Sequence, residues 1–356
     1  MKALNVEKNL PFVSIIILNY NKKNLLLTCL HSVLNNTDYP SYEIVVTDNG
    51  SSDGSVDEVK RIFRDTAQIK VVALRENLGY AEGNNVGFLN ASKASKYIVI
   101  LNNDVIIDQE TWLKVLVEFM EKHKDIGVAQ PTIIGEGNQA KFGLKMNVFG
   151  EFTPIKRLSD LSSSNSLQGY NECFSALGAA IITRKELVEK IGLFNKRFFL
   201  DYEDADFCWR SRLSGSNIVA IHASKVNHLG GGTIIPFYSS PDLQFHILKN
   251  RVYLLLVNYK LVNALKYVPW TILLQVYDGL NCLICSIFAT DNSKKILKAR
   301  MLAEERFLVY LILRLPYIWK DRLNVQDNIR AIPDSEIVGK YIAKTRPYLL
   351  RRTKSG

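Results

Sequence analysis

Phe12-Val13-Ser14-Ile15-Ile16-Ile17-Leu18, which runs into Asn19-Tyr20-Asn21, is the stretch of this 356-residue chain that decides its fold. An uninterrupted run of uncharged, mostly β-branched residues is typical of a strand buried on both faces of a parallel sheet. Residues 23–34 follow with leucines at helical spacing along one face. The two segments together predict one strand–helix unit of an α/β fold.

The same strand–helix pattern repeats further along the chain. Predicted strands are residues 43–47, 70–74 and 97–101, and predicted helices are residues 56–64, 81–91 and 111–122. This alternation predicts an open, mostly parallel sheet with helices on both faces, in which ligands bind beside the carboxyl ends of the strands. Asn19, Asp48, Asn77 and Asp104 all follow predicted strands. We therefore expect a ligand crevice at this edge of the sheet.

The pattern is less regular after residue 122. Residues 135–166 are polar and rich in Gly and Ser, which predicts a mobile lid or inserted loops. Further predicted elements are a strand at 176–183, a helix at 185–191 and short strands at 218–221 and 225–228. We place a catalytic domain at residues 1–235 and a basic, apolar helical region at residues 236–356.

Asp201-Tyr202-Glu203-Asp204-Ala205-Asp206 packs four carboxylates into six positions. Like charges crowded together raise one another's pKa and cost stability, so such a cluster indicates a cation, a proton transfer or a cationic partner. An exposed acidic start of a helix is the alternative, because carboxylates cap free N–H groups and suit the helix dipole.

Asn102-Asn103-Asp104 ends a predicted strand with one carboxylate and two amide oxygens. Hard oxygen ligands at the mouth of a crevice suit Mg²⁺ or Mn²⁺ bound between phosphates. One carboxylate needs a further ligand, and His228, between a predicted strand and the glycines at 230–232, is the candidate.

The net charge of +10 is carried by the C-terminal third of the chain. Residues 1–230 hold 26 basic and 26 acidic residues, whereas the remainder holds 19 basic and 9 acidic residues. This distribution argues against a nucleic-acid groove in the body and favours a tail that meets an anionic surface. The odd count of five cysteines favours a reduced, cytosolic setting, and residues 1–10 lack the apolar core of a signal peptide.

An apolar run at residues 267–290 is long enough to cross a bilayer at about 1.5 Å per residue. Pro269, Gln275, Asp278 and Asn281 interrupt it, and an Asp at mid-membrane costs roughly 2.5–3.5 kcal/mol. We expect amphipathic helices lying on the membrane, with a single span or a helical core subdomain as the alternatives.

Asn19-Tyr20-Asn21-Lys22-Lys23, the first strand-to-helix turn, contains no glycine. It therefore lacks the phosphate-binding fingerprint of dinucleotide-binding folds, and the chain contains no GxxxxGK[ST] motif. Both observations argue against a nicotinamide or flavin enzyme and against a P-loop ATPase. The loop Gly50-Ser51-Ser52-Asp53-Gly54 suits a nucleotide base and ribose, or is an ordinary turn.

These motifs together resemble the family-two inverting glycosyltransferases of the GT-A fold, particularly their rhamnosyltransferase-like branch. The resemblance covers roughly residues 11–235 and rests on Val13 to Asn21, Asp48-Asn49-Gly50-Ser51-Ser52-Asp53-Gly54-Ser55, Asn77-Leu78-Gly79-Tyr80-Ala81-Glu82-Gly83-Asn84-Asn85, Leu101-Asn102-Asn103-Asp104, Gly178-Ala179-Ala180 and residues 203–210. It implies a Rossmann-like GT-A domain that binds a nucleotide sugar, followed by a helical, membrane-associating region.

The resemblance also implies roles for individual residues. Asp204 would be the catalytic base beside Glu203, and Asp104 and His228 would bind the metal. Asn102 stands where the family's first metal-motif carboxylate is common, which leaves metal dependence an expectation. The predicted nucleotide-sugar contacts are Asn19, Asp48, Asp53, Asn77, Gly79, Asn103 and Arg210, and the predicted acceptor contacts are Gly178, Ala179, Asp206 and Trp209. Arg210 could instead pair with Asp206, one helical turn away.

The expected function is inverting transfer of a sugar from a dTDP-rhamnose or UDP-sugar donor, assisted by Mg²⁺ or Mn²⁺. The expected acceptor is a hydroxyl of a lipid-linked glycan or polysaccharide, met at the cytoplasmic face of the cell membrane by a peripheral enzyme. A non-catalytic nucleotide-sugar or glycan-binding homologue is the alternative, and a nucleotidyltransferase is a more distant one. No nucleic-acid partner is expected, and the sequence predicts neither the donor sugar nor the oligomeric state.

Overall fold

The first four strands form the parallel part of a ten-stranded sheet. In the computed structural model, which describes residues 10–157, 169–230, 240–288 and 291–345, these strands are β1 (Phe12–Asn19), β2 (Tyr42–Asp48), β3 (Ile69–Ala73) and β4 (Ser95–Asn102). They lie in the order β4-β1-β2-β3 and are connected by α1 (Lys23–Asn35), α2 (Ser55–Ile62) and α3 (Gly79–Leu89). The predicted strand–helix units are therefore confirmed.

Strand β1 is buried on both faces, as its sequence predicts. Ile15 and Ile17 pack into one apolar cluster and Ile16 packs into another on the opposite face of the sheet. Alternate side chains of a strand point to opposite faces, so β1 contributes to both cores. Parallel pairing aligns Asn19 with Asp48, which brings the polar ends of β1 and β2 together.

The other half of the sheet is mixed. Its strands are β5 (Val105–Ile106), β6 (Ile126–Ile134), β7 (Ala140–Lys141), β10 (Tyr170–Glu172), β11 (Ala180–Arg184) and β12 (Asn217–His228). The same part of the chain contains α4 (Trp112–Lys122), α5 (Lys185–Ile191), α6 (Glu203–Leu213) and two strands of a separate sheet, β8 (Leu144–Asn147) and β9 (Phe152–Pro154). The order continues from β4 as β11-β6-β12-β10, with β11 antiparallel to both neighbours. The two short strands predicted near residue 220 are one strand, β12, with a register shift between Ile221 and Lys225.

Residues 135–157 differ from the predicted lid or inserted loops. Strand β7 pairs with β6, and β8 pairs with β9 and with β13 (Ile342–Ala343) from the end of the described chain. These residues therefore belong to an ordered three-stranded sheet and its connection to the main sheet. The rest of the predicted lid, residues 158–166, lies outside the described residues.

The helices after residue 240 are α7 (Pro241–Asn258), α8 (Leu261–Phe288), α9 (Asp291–Asn324) and α10 (Asp334–Ile337). Their apolar side chains share one core with the catalytic body, in which Phe198 and Trp209 pack in the same cluster as Leu248, Val252 and Phe307. The division at residue 235 stays a prediction. Among the described residues, no helix combines the length and apolar character needed to cross a membrane.

Candidate active site

A pocket of about 700 Å³ opens beside the carboxyl ends of β1 and β4. Residues that line it come from the first strand-to-helix turn, the start of α3, the end of β4, the loop before α6 and the start of α7, and include Tyr20, Asn77, Gly79, Tyr80, Asn103, Asp104, Phe199 and His246. The predicted crevice is therefore present. It is closed on one side by α7, which sequence reasoning assigned to a separate region.

Asn19, Asp48 and Asn103 form a hydrogen-bonded network at the floor of the pocket. The Asn19 amide donates to Asp48 at 3.0 Å, and its oxygen accepts from the Asn103 amide at 2.8 Å. Asn19 and Asp48 are buried, whereas Asn103 lines the pocket. In this structure the two buried residues position the floor, and their direct contact with a nucleotide stays a prediction.

Asn77 and Gly79 line the adjoining wall, and their contact with a nucleotide stays a prediction. The Asn77 side-chain oxygen accepts from the Gly79 N–H at 2.9 Å and from Asn49 at 2.8 Å, which fixes the turn into α3. Gly79 has φ of +85°, and an added Cβ would lie 2.5 Å from the Phe199 ring. Only glycine fits there, because both the backbone conformation and the approach of Phe199 exclude a side chain.

Asp104 and His228 meet at the edge of the pocket, with 3.2 Å between Asp104 Oδ1 and His228 Nε2. Pairing of β5 with β12 places His228 opposite Val105, next to Asp104. Among the residues that the structure describes, no third His, Cys, Asp or Glu joins them. A carboxylate and an imidazole fit part of the ligand set of Mg²⁺ or Mn²⁺, which diphosphate oxygens and water commonly complete.

Glu203 and Asp204 begin α6. Asp204 accepts from the Gly178 N–H at 2.8 Å and from the Ala205 N–H at 2.7 Å. Burial raises the pKa of Asp204, although these two hydrogen bonds act in the opposite direction. Burial raises the pKa of Glu203 well above its usual value, and the charges of Asp204 and Asp201 add to the shift. One Glu203 oxygen is buried and has no hydrogen-bond partner among the residues that the structure describes.

Tyr80 lies between the end of β4, which leads to Asp104, and Gly178, which binds Asp204. Its hydroxyl lies 2.8 Å from Asn102 Oδ1 and 3.0 Å from the Gly178 carbonyl oxygen, and can donate to either. Burial raises the pKa of Tyr80 well above its usual value, and the charges of Glu203, Asp204 and Asp104 raise it further. Asp104 lines the pocket together with Tyr80, whereas Glu203 and Asp204 lie outside the pocket lining. Sequence reasoning missed Tyr80, although it follows Gly79 at the start of a helix beside the crevice.

The loop before Glu203 has an unusual backbone. Phe199, Asp201 and Tyr202 have φ of 62°, 69° and 72°, a region that side chains other than glycine rarely adopt. Such conformations cost of order 1–3 kcal/mol each and persist only where surrounding contacts hold them. This loop places Phe199 in the wall of the pocket and leads directly to Glu203 and Asp204 at the start of α6.

Two neighbouring residues of α7 hold this loop. The Asn250 amide donates to the carbonyls of Phe198 at 3.0 Å, Leu200 at 2.7 Å and Asp201 at 2.6 Å. The Lys249 amine donates to the Arg197 carbonyl at 2.7 Å, and burial lowers its pKa to about 7, although the charge of Glu203 opposes this shift. One helical turn earlier, His246 stacks on Phe199 with 5.0 Å between ring centroids.

Arg210 and Asp206 are corrections to the predicted ligand contacts. They form a buried ion pair at 2.7 Å, and Arg210 donates its other N–H groups to the carbonyls of Ile191, Gly192 and Leu193. Asp206 also accepts from Asn258 at 2.9 Å. Both charges are satisfied inside the protein, so Arg210 is not available to a diphosphate and Asp206 is not available to an acceptor.

Trp209 and Asp53 are two further corrections. Trp209 is fully buried and packs edge-on against Phe174 and Tyr259, so it cannot stack on an acceptor sugar. Asp53 lies outside the pocket lining. Its carboxylate accepts from the Lys23 N–H at 2.9 Å and from the Ser55 N–H at 3.0 Å, which secures the starts of α1 and α2.

Gly178 and Ala179 lie between the acidic pair and β4. Gly178 supplies the N–H that binds Asp204, and the Ala179 carbonyl accepts from the Asn102 N–H at 3.0 Å. An added Cβ at Gly178 would lie 3.2 Å from the Asp204 oxygen. Both residues position catalytic candidates, and their contact with an acceptor stays a prediction.

Residues 14–192, half of the chain, match the family model described as Glycosyl transferase family 2. The chain belongs to glycosyl transferase family 2. This membership confirms the resemblance drawn from its motifs, and the mixed sheet of this family 2 chain is that of the GT-A fold.

Curated relatives of this family 2 chain include an uncharacterized glycosyltransferase of Haemophilus influenzae, 29% identical over 119 residues, which are 33% of this chain and 36% of the relative. The O-antigen biosynthesis protein RfbC of Myxococcus xanthus is 26% identical over 223 residues, which are 61% of this chain and 17% of RfbC. The chain thus spans less than two fifths of either protein.

Solved structures with a similar fold include the mannosyltransferase PcManGT of Pyrobaculum calidifontis in complex with GDP-Man and Mn²⁺. It has a TM-score of 0.54 and 16% identity, over 85% of this chain and 88% of that one. GalNAc-T7 with UDP, GalNAc and Mn²⁺ has a TM-score of 0.56 and 16% identity, over 87% of this chain and 58% of that one. At these identities the similarity establishes the shared fold of the family 2 chain.

Proposed function

We propose that this protein is an inverting glycosyltransferase that moves a sugar from a nucleotide-diphosphate donor to a hydroxyl of a polysaccharide or lipid-linked glycan. The observation that carries the proposal is the position of Tyr80, which lines the pocket together with Asp104 and whose hydroxyl lies 3.0 Å from the carbonyl of Gly178, the residue whose N–H binds Asp204. The O-antigen role in the name of the relative RfbC supports a polysaccharide product. Donors of the dTDP-rhamnose or UDP-sugar class are the expected substrates.

The acceptor hydroxyl loses its proton to Asp204 while its oxygen bonds to the anomeric carbon of the donor. The bond from that carbon to the diphosphate oxygen breaks in the same displacement, which inverts the anomeric centre and releases a nucleoside diphosphate. The raised pKa of Asp204 makes it a stronger base than an exposed Asp. Gly178 and Ala205 hold its carboxylate in place through their N–H groups.

Asp104 and His228 are the residues that would hold Mg²⁺ or Mn²⁺. A bound divalent cation supplies positive charge that stabilises a diphosphate leaving group. Tyr80, whose hydroxyl bonds to Asn102 or Gly178, would keep the metal-binding end of β4 and the segment that holds Asp204 in a fixed relation. The Mn²⁺ present in both similar structures supports this part of the proposal.

We place the enzyme at the cytoplasmic face of the cell membrane as a peripheral protein. This location is supported by the excess of basic residues after residue 230 and by the exposed apolar side chains of α8 and α9, among them Trp270, Leu273, Ile312 and Trp319. Basic and aromatic side chains on one helical surface suit an anionic lipid surface.

Thermal-shift binding and donor hydrolysis test the function together. Purified protein is titrated with UDP-, dTDP-, GDP- and CDP-sugars, each with and without Mn²⁺, and release of nucleoside diphosphate is then measured. We expect stabilisation by one pyrimidine nucleotide sugar that increases with Mn²⁺, because a ligand that binds only the folded state raises Tm. Asp204→Asn should lower turnover by about 10²–10⁴ with donor binding retained, which is the range for loss of a general base.

Asp65→Asn is the matched control, because the Asp65 side chain is 86% exposed and forms a surface ion pair with Arg64. It should keep wild-type binding and turnover. Normal turnover in a folded Asp204→Asn protein would remove Asp204 from the mechanism. Donor binding without hydrolysis or transfer in the wild-type protein would instead identify a non-catalytic nucleotide-sugar-binding homologue.

A further inference from the structure

A second cavity, a groove of about 600 Å³, lies between α8 and α9 at the end of α7. Eleven of its twelve lining residues are apolar, and the exception is Arg322. The Arg322 guanidinium donates to the carbonyls of Leu256 at 2.5 Å and Tyr259 at 2.6 Å, so its charge is already paired with backbone oxygens. The groove is of the size that binds small molecules, about 300–1,000 Å³.

Two prolines inside the helices belong to this groove. Pro269 of α8 and Pro316 of α9 both line it, and so do Leu265 and Ile312, the residues four positions before them. A proline within a helix removes one backbone hydrogen bond and crowds the carbonyl four residues earlier. Each helix thus carries this defect on its groove side, where neighbouring helix packing is incomplete.

The groove walls combine buried and exposed apolar groups. Ala264, Val268 and Ile318 are buried at its base, whereas Leu265 is 67% and Ile312 is 75% exposed at its rim. Exposed apolar side chains around a groove are typical of a site that binds another molecule or a membrane. A flat bilayer surface would cover the rim and leave the base unfilled.

The basic residues near the groove distinguish between two possible occupants, a second copy of this chain and a lipid. Lys266, Arg314 and Lys320 are exposed next to groove-lining residues. Two copies of this chain joined across the groove would bring these like charges together, which disfavours a dimer. A lipid that carries an anionic head group matches both the apolar groove and the exposed basic residues that neighbour its lining in sequence.

We propose that this groove binds the hydrocarbon chain of a lipid-linked acceptor, an inference that rests on the proposed function. Helix α7 connects the two sites: Asp242, Leu243 and His246 line the active-site pocket, and Leu256 lines the groove. Ten residues of helix separate His246 from Leu256, or about 15 Å. A chain held in the groove would leave its diphosphate-sugar head within reach of the pocket.

Binding of farnesyl diphosphate to the full chain in the absence of vesicles tests the groove. Isopentenyl diphosphate, which has the same head group on a five-carbon chain, measures head-group binding alone. We expect calorimetry to show tighter binding of the farnesyl compound, and Leu265→Glu or Ile312→Glu to weaken it by about tenfold or more, as expected for one large apolar contact. Leu280→Glu is the matched control, because Leu280 is 55% exposed on the same helix outside the groove.

Equal affinity for the two diphosphates, or equal weakening by Leu280→Glu, would overturn the groove assignment. So would a dimer in sedimentation velocity that Leu265→Glu dissociates, because a second copy would then be the occupant. Donor hydrolysis is measured on the same samples. Donor hydrolysis together with equal binding of the two diphosphates would overturn only the groove assignment. Tighter binding of farnesyl diphosphate without donor hydrolysis would overturn the proposed function and leave a lipid-binding groove.

Discussion

Glu203 and Asp204 are adjacent carboxylates in different surroundings. Asp204 accepts two backbone N–H groups, which favour its charged form, whereas one oxygen of Glu203 is buried without a hydrogen-bond partner in the described part of the chain. The pKa of Glu203 is raised well above its usual value by burial and by the charges of Asp204 and Asp201. Where two carboxyl groups share one proton, we therefore expect the proton to stay on Glu203 and Asp204 to be ionised, as its proposed role of base requires.

This division of roles predicts the pH dependence of the enzyme. A base acts only when ionised, so kcat/KM should be full above the raised pKa of Asp204 and fall as pH decreases through it. The acid limb should lie above about pH 4, the usual Asp value. Glu203→Gln should leave this limb nearly unchanged, because Gln mimics a neutral Glu. A pH–rate profile checks both statements.

Asp204→Asn in the same profile is the contrasting variant. If Glu203→Gln lost as much activity as Asp204→Asn, Glu203 would be the base and the assignment would be reversed. If kcat/KM fell at the usual pKa of an exposed Asp, the burial of Asp204 would not control the pH dependence of the reaction.

Arg210 shows where residue-level prediction fails. Its spacing from Asp206 fits an ion pair within a helix and equally a side chain that points into a crevice. The ion pair forms, because the carbonyls of residues 191–193 also accept hydrogen bonds from the guanidinium and hold it inside the protein. Those contacts come from a different segment, so spacing alone could not reveal them.

At the scale of elements, the strained loop before α6 depends on α7. Asn250 provides hydrogen bonds to three loop carbonyls from one buried amide. The loop residues Phe199, Asp201 and Tyr202 have left-handed backbone conformations that need such support. Helix α7 is therefore a supporting element of the active site, although it follows residue 235.

Replacing Asn250 should uncouple activity from stability. Asn250→Ala leaves the loop carbonyls without their donor, and we expect a turnover loss of about 10²-fold, because small displacements of catalytic groups have effects of that size. Asn171→Ala is the matched control: Asn171 is also fully buried and donates to the Phe142 carbonyl at 3.0 Å, but it lies on β10 away from the pocket. Both substitutions should lower the Tm by a similar amount. Equal activity of the two would show that Asn250 serves only folding.

The sequence predicts the parallel half of the sheet well, because β1 to β4 and their helices depend on local pattern. Polar residues at the ends of these strands also predict the pocket. The sheet formed by β8, β9 and β13 could not be predicted, since Met146 and Ile342 pair across almost two hundred residues of chain. The hydrogen bonds from α7 to residues 197–201 could not be predicted for the same reason, because contacts between distant segments leave no local pattern in the sequence.

The whole molecule presents two different surfaces. The body of the protein has balanced charge, whereas α8 and α9 expose large apolar side chains beside basic ones, such as Leu265 next to Lys266 and Trp319 next to Lys320. Apolar contact and attraction to anionic lipid act together at a membrane surface, and the second weakens with salt. The helices that carry the apolar surface share one core with the part of the chain that forms the pocket. Contact of this surface with a membrane would therefore orient the pocket as well as hold the protein at the membrane.

Sedimentation with phosphatidylglycerol vesicles tests this orientation of the whole molecule. The full chain should bind these vesicles more tightly than phosphatidylcholine vesicles, and salt should reduce the difference. Trp270→Glu should weaken vesicle binding by about tenfold, because it removes one large apolar contact. Leu89→Glu is the control, since Leu89 is 78% exposed on α3 of the catalytic body. Equal effects of the two substitutions would place the membrane contact elsewhere on the protein, whereas loss of vesicle binding in Trp270→Glu alone, with donor hydrolysis retained, would assign it to α8.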